Sequence, residues 1–479
     1  TNTNTNTTTT TTHDTDDHDD VVHPIIFEMS VHQMDWIGEA KVPIAFVVLI
    51  GVLVTIATEV IDRTLVALAG SLLTVGLLLK CELMPPFQDA VIWLDEGTLA
   101  LLFGMMYIIG KTSETGMFAV STKYIVRWSG DSLFKLTTVM CLFTALLSAF
   151  LDNVTTIMLL APVTIELAHA LKLPSPIPLL IAETLFSNIG GTATLIGDPP
   201  NIIVGSALSQ HIGFVDFLAN MLPGVMLIIL PCLALMKWQF GEGLSGTLLH
   251  HNEAVLLCNK HTITNVPLMK QCMVCLGGVI VCFITHSIHE VNPAWIALLG
   301  AIGLMCSADA HSIHHALLAI EWDTLLFFAS LFVMVEGMAE VGMIRTIADG
   351  LVSLIEMVDE GNRLNVAIIL LVWVSALTSS FLDNIPYTTT MVPVIVQMAD
   401  DVDGLGLPIA TLAWALCFGA CLGGNGTLIG ASANIVCTNI AAKHGYKIGF
   451  MDFMKKSFPI MLLSTLIAMA YMVVRYGDL

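Results

Sequence analysis

One motif, present in two copies, decides the fold of this chain. The stretch SAFLDNVTTIMLLAPV at residues 148–163 recurs as SSFLDNIPYTTTMVPV at residues 379–394. Each copy contains Leu-Asp-Asn, which places Asp152 and Asp383 at equivalent positions 231 residues apart. A match of this length within one chain predicts an internal duplication.

A second motif follows the first in both copies. The stretch GGTATLIGDPPN at residues 190–201 recurs as GGNGTLIGASAN at residues 423–434. Fainter similarities extend outward from these blocks, including Glu114-Thr-Gly and Glu340-Val-Gly. The repeat therefore covers nearly the whole hydrophobic chain, as in secondary transporters whose related halves meet at a binding site.

The composition indicates a membrane protein. Of the 479 residues, 56% are hydrophobic and only 12% are charged, whereas about a quarter of a soluble domain is charged. Several apolar runs reach the roughly 20 residues that cross a hydrocarbon core. The expected partners are the lipid bilayer and a small inorganic or organic ion, with no nucleic acid and no cofactor.

The N-terminal segment differs from the rest. Residues 1–40 contain eight Asp or Glu and no Lys or Arg, which predicts a disordered acidic tail. The chain begins without Met, which suggests a fragment or a processed chain. Metal binding by the His and Asp residues of the tail is the lesser alternative, and the 11 cysteines are expected to behave as small buried hydrophobic residues.

The predicted topology gives each half five crossings and one re-entrant hairpin, with the hairpins at 134–170 and near 365–400. The predicted crossings are 43–61, 64–80, 98–112, 178–208 and 219–237, then 268–287, 294–308, 324–340, 409–440 and 457–475. An odd number of crossings inverts the second copy. The predicted fold class is thus an all-α polytopic membrane protein of two inverted repeats with unwound helices at the midplane.

The distribution of basic residues predicts the orientation, because Lys and Arg in short loops favour the cytosolic side. With the acidic N-terminus outside the cytosol, thirteen of the 18 Lys and Arg residues are cytosolic and five are not. Both termini are then non-cytosolic. The predicted divisions are a tail at 1–40, a first repeat at 41–238, a cytosolic linker at 239–267 and a second repeat at 268–479.

The Asp-Asn pairs are the first candidate ligands. An ionised carboxylate inside a bilayer costs at least a few kcal/mol unless it faces protein, water or an ion. Hydroxyl groups follow each pair, and oxygen ligands of this kind can replace the hydration shell of a small ion. The alternative is that Asp and Asn only cap the helix that follows, although capping and ion binding can coexist.

The Gly-Gly pairs are the second candidate site. Glycine permits unwound backbone, which is tolerated at membrane depth only where it is buried or lines a cavity. The alternative, close helix packing through small residues, does not explain why Gly-Gly recurs together with Thr-Leu-Ile-Gly.

The two copies differ at three positions that bear on chemistry. Asp198 is replaced by Ala431 and Thr192 by Asn425, while Glu183 faces an apolar position in the second copy. Asp198 and Glu183 can carry a proton or bind a cation, but Asp198 can equally cap a helix and Glu183 can be a paired interior carboxylate. For Glu114 and Glu340, near the ends of crossings, a solvated structural role is the expectation.

The predicted ion-binding residues share the hairpin tips and the glycine breaks. They are Asp152, Asn153, Thr155, Thr156, Gly190, Gly191, Thr192, Thr194, Asp198, Asn201, Asp383, Asn384, Thr388, Gly423, Gly424, Asn425, Thr427 and Asn434. The candidates for proton coupling are Asp152, Asp383, Glu183 and Asp198, and no metal other than Na⁺ is expected.

At these blocks the chain resembles the P protein (pink-eyed dilution) family of the ion transporter superfamily, which includes arsenite permeases, sodium/proton antiporters and citrate or dicarboxylate carriers. The matching segments are 101–106, 148–163, 188–201, 321–328, 373–376 and 418–434. The resemblance implies an inverted-repeat fold in which a transport domain moves against a scaffold, often as a dimer, and a location in acidic organelles such as melanosomes. Dicarboxylate carriers have Ser-Asn-Thr where this chain has Leu-Asp-Asn, so their substrate does not carry over.

The sequence therefore predicts a secondary transporter of a small ion, coupled to protons or sodium. An anion channel of the same fold, conducting chloride without coupling, is one alternative. An intramembrane aspartyl protease is another, because two membrane Asp residues can share a proton, but the repeated ion-site-like motifs oppose it.

Overall fold

The computed structural model describes residues 40–58, 60–130, 132–241, 262–285, 289, 291–309, 313–318, 320–400 and 404–477. The predicted acidic tail and most of the predicted linker lie outside the described residues. The proposed division of the chain into tail, repeats and linker therefore stays a prediction.

All regular structure in the described ranges is helical, which confirms the all-α expectation. The first half contains α1 (Lys41–Thr58), α2 (Arg63–Lys80), α3 (Phe87–Ile92), α4 (Glu96–Glu114), α5 (Met117–Ser129), α6 (Leu133–Ser148), α7 (Asn153–Ala170), α8 (Ile177–Gly191), α9 (Pro199–Ala207) and α10 (Phe214–Phe240). The second half contains α11 (Val266–Ile284), α12 (Pro293–Ala308), α13 (Ile313–Leu317), α14 (Trp322–Val341), α15 (Met343–Glu356), α16 (Arg363–Phe381), α17 (Asn384–Ala399), α18 (Ile409–Gly423), α19 (Ser432–Lys443) and α20 (Phe450–Tyr476).

The length and composition of these helices suit a bilayer. Among the described residues, eight helices are long and apolar enough to cross a membrane. Large apolar side chains such as Leu72, Leu230 and Val274 are exposed on the outside of the bundle, where only lipid would satisfy so much apolar surface. The chain is a multi-pass integral membrane protein.

The two hairpins turn at the duplicated Leu-Asp-Asn motif. Helices α6 and α7 form the first hairpin over residues 133–170, and α16 and α17 form the second over residues 363–399. These bounds agree with the predicted hairpins to within two residues. At each turn an Asp side chain caps the second helix of the hairpin by accepting a hydrogen bond from a backbone N–H in its first turn. Such N–H groups have no acceptor within their own helix, so the cap stabilises the turn.

The Gly-Gly motifs break two helices in the interior. Helix α8 ends at Gly191 and α9 begins at Pro199, while α18 ends at Gly423 and α19 begins at Ser432. Residues 179–191 of α8 and 411–423 of α18 are buried around the whole circumference of the helix. A helix that is apolar on all faces and surrounded by protein lies in the core rather than against lipid.

The hairpins and broken helices pack across the duplication. Hairpin helix α7 of the first half packs on α19 of the second, and α17 of the second half packs on α9 of the first. A separate set of contacts joins α2 to α14 and α4 to α12. The two breaks and the two hairpin tips are thereby brought to one place between the halves.

Among the described residues, four helices lie between the predicted crossings and hairpins and were missed by the sequence analysis: α3, α5, α13 and α15. Helices α5 and α15 each begin directly after a glycine, Gly116 or Gly342, with positive φ of 75° or 93°. Glycine adopts this left-handed conformation at little cost and so ends the preceding helix and redirects the chain. The recurring Glu-x-Gly motif lies at this turn. The amphipathic pattern that follows it could have predicted helices α5 and α15.

Close approach of the broken helix to the hairpin explains the recurring glycine. A Cβ built on Gly423 would lie 2.5 Å from the carbonyl oxygen of Ala376 in α16. We expect Gly423→Ala to lower the free energy of unfolding by about 1–3 kcal/mol, because overpacking forces backbone movement. Thermal unfolding of the purified protein in detergent measures this effect.

The matched control is Gly51→Ala in α1, where an added Cβ meets nothing within 4 Å. This variant should unfold at the wild-type temperature or slightly above it. Equal destabilisation by both substitutions would contradict the packing explanation.

Candidate functional site

In the first half, one asparagine holds the unwound segment together. The Asn201 side chain donates from Nδ2 to the carbonyl oxygens of Gly191, at 3.0 Å, and Thr194, at 2.9 Å. The Thr194 hydroxyl donates to the carbonyl oxygen of Ala149 at the hairpin tip. The break is therefore fixed to the hairpin, and the carbonyls that leave the helix are satisfied inside the protein.

The second half repeats this arrangement. The Asn434 side chain donates to the carbonyl oxygens of Gly424, at 2.7 Å, and Thr427, at 2.8 Å. The Thr427 hydroxyl donates to the carbonyl oxygen of Ser380 at 2.5 Å. The recurrence of Gly, Thr and Asn in the sequence thus reflects a recurring set of hydrogen bonds.

Asn188 joins the two half-sites and was not among the predicted ligands. Its Nδ2 donates to Oδ1 of Asn425, at 2.9 Å, and to Oδ1 of Asn434, at 3.0 Å, and its Oδ1 accepts from Asn153 Nδ2 at 3.1 Å. All four side chains are buried. Because Asn188 comes only two residues before Gly190 inside an apolar helix, its polarity was the signal that could have revealed it.

The equivalent position in the second half is Cys421. Its Sγ lies 3.2 Å from Oδ1 of Asn201 in the first half. This contact is the counterpart of the hydrogen bond from Asn188 to Asn434. A thiol is a much weaker donor than an amide. The hydrogen bonds that Asn188 makes to the second half are therefore stronger than the contact that Cys421 makes to the first half.

Asp152 is mostly engaged in capping. Its Oδ1 accepts from the backbone N–H of Thr155 at 2.8 Å, and its Oδ2 accepts from the Thr155 hydroxyl at 2.5 Å. Asp152 also lines a small cavity of about 40 Å³ together with Arg63 and Glu321. The carboxylate therefore caps α7 and faces an internal space at the same time.

Asp383 caps α17 with one carboxylate oxygen and accepts a hydrogen bond from the start of α19 in the same half with the other. Its Oδ1 accepts from the backbone N–H of Ile385 at 3.0 Å, and its Oδ2 accepts from the Ser432 hydroxyl at 2.9 Å. It lines a cavity of about 300 Å³. Ser432, at the start of α19, was not predicted as a site residue.

Asp198 lies between the halves and does not cap α9. Its side chain makes no capping hydrogen bond, and its Oδ1 accepts from Asn384 Nδ2 at 3.3 Å. Its Oδ2 is fully buried and has no hydrogen-bond partner among the described residues. A buried carboxylate oxygen without a donor is costly unless a proton or a cation neutralises it.

Two further buried oxygens lie on one face of α7. Asn153 Oδ1 and Thr156 Oγ1, three residues apart, have no hydrogen-bond partner within the described part of the chain. Residues with this spacing are neighbours on a helix surface. Together with Asp198 they are oxygen groups able to coordinate a small cation, and of the three only the Asp198 carboxylate can also take up a proton.

Glu183, unlike Asp198, has a hydrogen-bond donor at both carboxylate oxygens. Both carboxylate oxygens accept from the Thr164 hydroxyl, at 2.8 and 2.7 Å, and the side chain is buried between α7 and α8. The hydroxyl has a single hydrogen, so Glu183 shares one neutral donor between its two oxygens, and its role in coupling stays a prediction. Glu114 pairs with Lys111 at 3.1 Å, and Glu340 is exposed.

The remaining predicted residues have local partners. The hydroxyl of Thr192 donates to the Asn188 carbonyl oxygen at 2.8 Å, and that of Thr388 donates to the Asn384 carbonyl oxygen at 2.8 Å. These two bonds stabilise the helices next to the site. They leave both hydroxyls without a demonstrated role at the centre.

The unequal link at the centre leads to a testable difference. Asn188→Ala removes the donor to two buried acceptors, so we expect a loss of about 1–3 kcal/mol for each oxygen left unpaired. Cys421→Ala at the equivalent position removes only the contacts of a thiol, which is a weak donor, and should cost markedly less. Thermal unfolding of both variants measures the difference, and equal effects would show that Asn188 is not the main link.

Comparison with known proteins agrees with this architecture. The family model for citrate transporters matches residues 53–419. The human P protein is 40% identical over an alignment 508 positions long, which covers 91% of this chain and 60% of that protein. The chain thus spans about 60% of the length of the P protein that it matches.

Two other relatives extend the comparison. An uncharacterized transporter of Mycobacterium tuberculosis is 34% identical over 435 aligned residues, covering 90% of this chain and 98% of that protein. The solved structure of Neisseria gonorrhoeae MtrF, from a class of antimetabolite efflux pumps, matches with a TM-score of 0.54 and 12% identity, covering 91% and 94% of the two chains. The second likeness concerns the fold alone.

These relationships confirm the resemblance to the P proteins, and membership of a transporter family supports a role in membrane transport rather than an enzymatic one. The protease alternative is thereby disfavoured. The chain belongs to the citrate transporter family.

Proposed function

We propose that this protein is a secondary active transporter that moves a small ion by alternating access, coupled to protons or sodium. The observation that carries the proposal is Asp198, whose buried Oδ2 has no donor among the described residues at the meeting point of both halves. A group that must be neutralised to remain buried is suited to bind and release a proton or a cation during transport.

The directions of equivalent helices support an inverted repeat. The start of α4, at Asp95 and Gly97, lines the same cavity as Val335 and Glu336 near the end of α14. Because the Glu-x-Gly repeat makes α14 the counterpart of α4, this placement supports an inverted second copy. Inversion of this kind lets the same site be presented to either side of a membrane.

Two cavities related by the repeat support alternating access. The cavity of about 300 Å³ is lined by Asp62, Val436 and Asn439. A cavity of about 480 Å³ is lined by the equivalent residues Asn292, Ile203 and Ser206. Equivalent openings in inverted halves are what a carrier needs when it exposes its site first on one side and then on the other.

The assembly and location belong to the same proposal. We base a homodimer, an acidic organelle membrane and non-cytosolic termini on the resemblance to the P proteins and on the distribution of Lys and Arg. An uncoupled chloride channel of the same fold is the rival, and it predicts flux that ignores gradients of protons and sodium.

The first test concerns the hairpin carboxylates. The uptake of chloride, sodium, citrate and arsenite is measured in proteoliposomes, and the ion that is taken up is called the accepted ion. We expect the flux of the accepted ion to depend on a proton or sodium gradient. Asp152→Ala and Asp383→Ala should each reduce this flux at least about tenfold, since loss of a buried charge partner typically costs several kcal/mol.

Glu340→Gln, at the exposed end of α14, is the control and should transport like wild type. Undiminished flux in both Asp variants would refute the assigned site. Flux that is abolished by the Asp variants but insensitive to both gradients would favour the channel.

The second test concerns coupling. Asp198→Asn keeps the size of the side chain and removes its charge, so we expect the accepted ion to move without accompanying protons or sodium. Glu183→Gln is the comparison, because its carboxylate is bound by Thr164, and it should keep coupling. Proton movement, followed with a pH-sensitive dye during substrate flux, gives the measurement, and the reverse pattern would assign coupling to Glu183.

A further inference from the structure

Arg63 connects to a hairpin carboxylate through one hydroxyl group. Its Nη1 donates to Oγ of Ser432 at 2.7 Å, and the same hydroxyl donates to Oδ2 of Asp383 at 2.9 Å. A serine hydroxyl has one hydrogen to donate and can accept at the same time. The three groups therefore form a continuous chain from a guanidinium to a carboxylate.

The position of Arg63 relates it to both hairpin tips. It lines the cavity of about 300 Å³ with Asp62 and Asp383, and the cavity of about 40 Å³ with Asp152 and Glu321. Among the described residues that line these two cavities, it is the single Lys or Arg. One cation thus lies among four carboxylates at the site where a transported or coupling cation would arrive.

The surroundings of Arg63 fix its orientation. Its guanidinium lies over the ring of Phe327, 5.3 Å from the centroid, which is within the range of a cation–π interaction. Asp62 is committed to capping α2, since its Oδ1 accepts from the backbone N–H groups of Thr64 and Leu65. Of the nearby carboxylates, Asp383 is the one that Arg63 reaches through hydrogen bonds, by way of Ser432.

The duplication shows that the fold does not require this cation. Asp62 and Asn292 are equivalent caps of α2 and α12, and both accept from the N–H two residues later. The residue after Asn292 is Pro293, where the first half has Arg63. The second half thus builds the same helix start without a basic side chain, so capping of this helix does not by itself call for Arg63.

Arg63 also bridges two groups of helices. It begins α2, which packs against α14, whereas Ser432 begins α19, which packs against hairpin helix α7. Movement of the hairpins and broken helices relative to α2 and α14 would separate these two residues. Such a movement would open the bridge.

We propose that Arg63 is a tethered counter-cation, a positioning residue that neutralises Asp383 when the site is empty, so that the driving cation binds there in competition with the guanidinium. The inference rests on the proposed cation-coupled transport. Arginine suits this role because its guanidinium keeps its charge throughout the physiological pH range, so it can be displaced only by movement and not by loss of a proton.

The test compares Arg63→Gln with Arg63→Lys in the full chain reconstituted in proteoliposomes. We measure the sodium concentration at which flux is half-maximal, with choline replacing sodium. The proton concentration at which flux is half-maximal is measured separately. For the ion that drives flux, Arg63→Gln should lower the half-saturating concentration at least about 5-fold, the lower end of typical coupling between two ligands. Arg63→Lys, which keeps the charge, should stay within about twofold of wild type.

Lys443→Gln is the matched control, since it removes an exposed cation from α19, the helix that begins at Ser432. It should leave the half-saturating concentration unchanged. A purely structural role for Arg63 would lower the maximal flux of Arg63→Gln with no change in half-saturation, and that result would overturn the proposal.

A second measurement separates charge from folding if Arg63→Gln is poorly produced. Arg63→Cys is purified and reacted with a methanethiosulfonate carrying a trimethylammonium group or with the neutral methyl reagent, and wild type treated in the same way controls for the native cysteines. The cationic reagent should restore the wild-type half-saturating concentration, and the neutral reagent should leave it lowered. Equal values after both reagents would refute the role of the charge.

The outcome is distinguishable from failure of the proposed function. If Asp152→Ala and Asp383→Ala abolish flux while Arg63→Gln has wild-type half-saturation, the site stands and the counter-cation is wrong. If the Asp variants transport normally, the proposed site itself is wrong.

Discussion

A helix that unwinds inside a membrane leaves backbone carbonyl and N–H groups that lipid cannot satisfy, and the rest of this structure depends on how that need is met. Asn201 and Asn434 each donate to two carbonyls of the break that precedes them. Thr194 and Thr427 then tie each break to a hairpin tip. Glycine provides the room, but the Asn and Thr side chains make the unwound segments stable.

The duplicated frame supports unequal chemistry. Asn188 links the halves with amide hydrogen bonds, whereas Cys421 at the equivalent position offers a thiol. Asp198 has a buried oxygen without a donor in the described structure, whereas its counterpart is Ala431. The backbone frame is therefore repeated, whereas the side chains that can carry charge or donate strongly differ between the two halves.

The packing of the helices explains why the site lies between the halves. The hairpin helix of each half packs on the short helix after the break of the other half, as α7 does on α19 and α17 on α9. Neither half can complete its own site. Residues whose side chains meet at the centre, such as Asn384 and Asp198, are therefore separated by 186 positions in the chain.

The sequence alone was enough to predict the membrane class, the duplication, both hairpins and both breaks. Each of these features follows from residues that are close together in the chain, such as long apolar runs, the repeated Leu-Asp-Asn and the repeated Gly-Gly. It did not reveal Asn188, the Arg63–Ser432 bridge or the different engagement of Asp152, Asp198 and Glu183. Those features depend on partners in distant segments, since Arg63 and Ser432 are 369 residues apart. Only the tertiary structure decides which carboxylate caps a helix, which is paired and which stays unsatisfied, because each outcome depends on the donors that packing brings within about 3 Å.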